Sequence, residues 1–92
     1  MCRNIRVLHH FKPPTTPDEI RAAALQYVRK VSGLREPGQD AERAFEKAVE
    51  QIAAITGKLL DKLPEKGEPR TREGEKLKAK VRWERRERQI RG

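Results

Sequence analysis

"TTPDEIRAAALQYVRKVSG", residues 15–33, decides the fold, because it carries a helix start, a helix stop and an apolar stripe between them. Thr16 is placed to cap, Pro17 suits the first helical position, and Glu19 completes a Thr-x-x-Glu capping box. At the other end Gly33 follows Arg29 and Lys30, as a left-handed cap should, with cations on the negative end of the helix dipole. Stepping 100° per residue from Ile20, the apolar set Ile20, Ala23, Ala24, Tyr27, Val28 and Val31 covers about 140° of the wheel. The spacing predicts an amphipathic helix.

"LREPGQD", residues 34–40, breaks the pattern at Pro37-Gly38. A second helix is expected from about Gln39 to Leu63, stopped by Pro64. Its stripe is Ala41, Phe45, Ala48, Val49, Ile52, Ile55, Leu59 and Leu63, with Glu46, Lys47, Glu50 and Asp61 on the opposite face. Gly57, inside that helix, costs about 1 kcal/mol against alanine. A short connection between two amphipathic helices makes them antiparallel neighbours. Two helices bury only part of two wide stripes, so the residues of the N-terminal arm and a second copy of the chain are the expected additional cover.

The remainder is mostly charge. The 92 residues are 35% hydrophobic and 39% charged, with a net charge of +8. Chains this short expose a large share of their surface and build small cores. The charge is uneven: residues 16–63 hold eight acids and eight bases, whereas residues 64–92 hold eleven bases and six acids. "EKGEPRTREGE", residues 65–75, reads as a linker. "KLKAKVRWERRERQIRG", residues 76–92, is helix-prone with eight bases and two acids. Its apolar residues share no face, since Leu77 and Val81 lie on one side and Ala79, Trp83 and Ile90 on the other, which excludes an amphipathic membrane helix. Arginines beside an aromatic ring suit phosphate contact and base stacking, so Arg82, Trp83, Arg85, Arg86 and Arg88 are the candidate partner-binding residues of this segment.

The opening "MCRNIRVLHHF", residues 1–11, holds the lone cysteine and both histidines. If Met1 is removed, Cys2 has a free amine beside its thiol, and Arg3 would favour the thiolate. Cys2, His9 and His10 are therefore weak metal candidates, and a metal-binding or thiol-active protein is the alternative reading. One cysteine and two histidines cannot close a structural zinc site, and adjacent histidines on an extended segment point apart. Nothing in the chain makes a catalytic constellation, so a non-enzyme is favoured and no cofactor is implied. "NIRVLHHF", residues 4–11, fits a strand or an extended arm. As a strand before two helices it suggests the ribbon-helix-helix arrangement, with Arg3, Asn4 and Arg6 placed on DNA bases. A lone cysteine suits a reducing compartment. No secretory signal is expected of the first ten residues, and no apolar run spans a membrane.

"MCRNIRVL", then "PP", then "EIRAAALQYVRKVSG", then the "AF..AV" and "LL..L" spacings, resemble a small family of bacterial proteins known only as a domain of unknown function. The resemblance implies a bacterial cytoplasmic protein and brings with it no activity, substrate or cofactor. The expected architecture is all-α: a long antiparallel helical hairpin with an extended N-terminal arm over residues 1–63, then a linker and a weakly docked basic helix or tail over 64–92. The expected function is a small non-catalytic binding module for an acidic partner, nucleic acid or protein, acting without a membrane and as a homodimer.

Overall fold

The computed structural model describes residues 5–91. Cys2, Arg3 and Asn4 lie outside the described residues. Three helices follow in order: α1 (Pro17–Ser32), α2 (Glu42–Lys62) and α3 (Arg72–Arg91). The class is all-α.

The local signals around α1 act as read. The Thr16 hydroxyl accepts from the Glu19 N–H at 3.2 Å, and the Glu19 carboxylate accepts from the Thr16 N–H at 2.9 Å. Two of the donors that a helix start leaves unsatisfied are thereby paired. Gly33 ends the helix at φ 73°, its N–H donating to the Arg29 carbonyl, a conformation that costs a side-chain-bearing residue more than glycine.

The second helix starts later than the sequence suggested. The Ala41 N–H donates to the Gly38 carbonyl at 3.0 Å, closing a turn, so Gln39 and Asp40 belong to the connection. Ala41 caps α2 without a side-chain hydrogen bond. The far end falls as expected: Leu63 turns extended (ψ 136°) because the following proline disfavours the helical region.

Chain contacts group the described residues into two units. One contains the arm up to His9 and residues 15–64; the other contains residues 10–14 and the chain from Glu65 onward. In the first unit α1 and α2 pack against each other as the hairpin. Ala24, Val28 and Val49 are buried, with Leu25, Phe45, Ala48, Ile52 and Ala53 packed on them. Alanine opposite valine lets the helices approach closely. The arm lies along one side: Ile5, Arg6 and Leu8 line a groove of about 290 Å³ with Ala23, Ala24, Tyr27, Ile52, Thr56 and Leu60. The Thr15 hydroxyl donates to the Leu8 carbonyl and holds the arm's far end.

The arm is not a strand. Among the described residues the one β-type pairing is a single bridge between Phe11 and Arg70. The ribbon-helix-helix arrangement expected as one option therefore has no ribbon over residues 5–11. The adjacent Val7 and Leu8 already spoil strand alternation, and the two prolines after Lys12 cannot donate to a ladder.

Gly57 supplies a test of the packing. A Cβ built there meets nothing nearer than the Ile20 Cδ1 at 3.9 Å, an ordinary contact. Gly57→Ala is therefore expected to stabilise the hairpin by about 1 kcal/mol, through helix propensity alone. A urea midpoint that stays put or falls would show that the two helices sit closer than described.

Candidate functional site

Residues 10–14 and 65–72 make the most densely bonded part of the second unit. The Arg70 N–H donates to the His10 carbonyl at 2.8 Å, and the Lys12 N–H donates to the Arg70 carbonyl at 3.0 Å. Arg72 donates to the carbonyls of Pro13 (2.9 Å) and Pro14 (3.3 Å), and its guanidinium stands 5.4 Å over the Phe11 ring. Arg fits both tasks, because its planar fork reaches two acceptors while its face stacks on an aromatic ring.

His10 is the centre of this clasp. Its backbone is left-handed at φ 60°, uncommon for a residue other than glycine. The ring compensates by bonding on both sides: Nδ1 lies 2.6 Å from the Glu65 carboxylate and Nε2 2.9 Å from the Gly67 carbonyl. Both partners are acceptors, so only the imidazolium, with two N–H donors, satisfies them together. The Gly67 carbonyl first, and then the Glu65 carboxylate, raise the His10 pKa above 6.5, against partial desolvation and the Arg70 charge. A histidine whose folded pKa is raised stabilises the fold fully below its unfolded pKa and loses that contribution as pH rises through the folded value. The clasp is thus expected to loosen as pH rises from about 6.5 upward. Proton NMR titration of the two histidines checks this: the His10 midpoint should lie above that of a free histidine and fall only part of the way back in Glu65→Gln, because the Gly67 carbonyl still accepts from the ring. An unshifted His10 midpoint in the parent chain would contradict the geometry.

The other sequence candidates fall as follows. His9 is half-buried, and Arg6 is exposed beside the arm groove. Among the described residues no three histidine, cysteine, aspartate or glutamate side chains cluster as metal ligands. With both ring nitrogens bonded to the protein, His10 would have to abandon Glu65 or Gly67 to ligate a metal.

The basic segment is helical, and α3 begins four residues before Lys76. Thr71 is the reason: its hydroxyl accepts from the Gly74 N–H at 3.0 Å, and its carbonyl accepts from the Glu75 N–H at 3.0 Å. Glu73 and Glu75 then complement the dipole in the first turn. Arg82, Trp83, Arg85, Arg86 and Arg88 are all exposed. Helix geometry divides them. Lys78, Arg82, Arg85, Arg86 and Gln89 share a face about 100° wide, whereas Trp83 and Arg88 each stand about 60° beyond opposite borders of it. Glu84 and Glu87 lie on the other side of the helix. Among the described residues Lys78 is paired with Glu75 at 3.4 Å, and Arg82, Arg85 and Arg86 make no ion pair. The exposed Leu77 and Val81 lie on one side of α3 and the exposed Ile90 on the other, as the sequence indicated.

The described residues define a small helical-hairpin protein followed by a basic helix. The chain belongs to the family described as Uncharacterized conserved protein (DUF2277), whose model matches residues 1–78. No curated protein and no solved structure matches it. The family match includes the first seven residues of α3 and stops at Lys78, before the arginines that follow.

Proposed function

We propose that the chain is a non-catalytic binding module for an acidic partner, and that a nucleic-acid backbone fits its basic helix best. One observation carries this reading: Arg82, Arg85 and Arg86 stand on a single exposed face of α3 and, among the described residues, make no ion pair. Lys78 and Arg86 are eight residues apart, about 12 Å along the axis, the axial rise of about three to four phosphates of one strand. Guanidinium groups match phosphate oxygens in pairs. Trp83, off that face, adds a stacking surface for an unpaired base rather than a duplex contact.

The test is binding to a labelled duplex of roughly 20 base pairs at low salt, with and without residues 76–92. Binding that weakens steeply as salt rises, and a flattened dependence after the deletion, support the reading. No binding at low salt removes nucleic acid and leaves an acidic protein.

A bacterial cytoplasmic setting belongs to the same proposal, supported by the lone cysteine and the resemblance of residues 1–63. No helix among the described residues is long and apolar enough to cross a membrane. For the homodimer, the exposure of Val31, Ile55 and Leu59 is the argument in favour. The binding reading does not depend on it, and the charges that border Ile55 and Leu59 point to a different occupant.

A further inference from the structure

The stripe read along α2 is wider than the face it packs with. Val49 is 1% exposed, while Ile55 and Leu59 are 68% and 54% exposed. α1 and the arm take Phe45, Val49, Ile52, Ala53, Thr56 and Leu60, leaving one edge of the apolar stripe in solvent.

The charges of α2 are sorted around that edge. Going round the helix from Ile52 at about 100° per residue, Leu59 and Ile55 come first, then Lys62, Gln51, Lys58 and Lys47 within about 140°. Glu42, Glu46, Glu50 and Asp61 lie on the other half-turn. The hairpin sums to zero charge, yet this edge holds three lysines and no acid. All three are exposed, and among the described residues none is ion-paired. Lys47 and Lys62 are fifteen positions apart, about 22 Å of helix.

We propose that this edge of α2 is a docking ridge for an acidic amphipathic helix of another protein. Ile55 and Leu59, one turn apart, form the apolar line on which leucine-type side chains seat at helical spacing. Lys47, Lys58 and Lys62 then meet carboxylates on the flank of the incoming helix. A second copy fits less well, because a two-fold axis on this edge brings lysine against lysine, and like charges across an interface disfavour it. The ridge stands on the hairpin, so the proposal is independent of the reading of α3.

The experiment uses the full chain and a labelled helical peptide of roughly 18 residues, with leucines at i, i+4, i+7 and i+11 flanked by glutamates. A scrambled peptide of the same composition is the control. Binding is read by anisotropy. The designed peptide should bind at least about tenfold tighter than the scrambled one, and Ile55→Ser with Leu59→Ser should remove that advantage. Lys58→Gln with Lys62→Gln should weaken binding and lower its salt dependence, whereas Arg82→Gln with Arg85→Gln should leave it unchanged. Because Ile55 and Leu59 are exposed, the serine variant should melt like the parent, and circular dichroism checks this. Equal binding of both peptides, or binding lost with the α3 arginines instead, would overturn the proposal. So would a parent chain that scatters at twice its mass and returns to one mass in the serine variant, which would assign the ridge to a second copy. Sedimentation with phosphatidylglycerol vesicles, lost in the serine variant while the peptide fails to bind, would assign it to a membrane surface and equally overturn it.

Discussion

Val49→Asp is expected to abolish cooperative unfolding of the hairpin at 25 °C. Val49 is the most buried side chain described, 1% exposed between Ala24 and Val28 of α1 and its own neighbours on α2. A carboxylate there replaces the apolar contacts with Ala24 and Val28, and it either stays charged against them or protonates. Either costs about 4 kcal/mol or more. A small domain has about that much stability in total. Val49→Ala should cost about 2 kcal/mol and keep a cooperative transition at a lower urea midpoint. Ile55→Asp supplies the contrast, since an exposed substitution on the same helix should stay within about 0.5 kcal/mol of the parent. A Val49→Asp chain that unfolds at the parent midpoint would show that the two helices do not share the described core.

The second large effect concerns α3. Replacing Arg82, Arg85 and Arg86 together by glutamine should lower the affinity for a duplex at low salt by more than tenfold. Its salt slope should fall by about 2.7, three contacts at about 0.9 each. Trp83→Ala should change duplex affinity less than twofold, because its ring stands off the basic face and duplex bases are already stacked. The same substitution should weaken binding to a single strand, where a free base can stack. Equal losses on both probes would place Trp83 in the duplex contact.

What the sequence disclosed and what it hid follow from the range of the interactions. The Thr16 cap and the Gly33 stop act within four residues, so α1 was readable residue by residue. Thr71 caps α3 in the same local way, but Gly74 and the preceding Pro69 made its first turn look like linker. The clasp had no local signature. His10 and Glu65 are 55 positions apart, and no spacing rule joins them. A histidine pair beside a cysteine suggested ligands, whereas His10 holds two acceptors of its own chain. The stripe read on α2 included Ile55 and Leu59, which stay exposed, and left out Ala53 and Leu60, which pack inward, because periodicity does not say which edge a partner covers. Only packing separated Val49 from Ile55. The arginines of α3 were visible as charge, and the helix geometry removed Trp83 and Arg88 from their shared face.

The most direct test of the binding-module account is the duplex affinity of the full chain between about 50 and about 200 mM salt. Three to four phosphate contacts predict a loss of about 40- to 150-fold over that range, with the triple glutamine variant nearly insensitive. A parent chain that does not bind at the lower salt, or whose affinity is unchanged across the range, would contradict it.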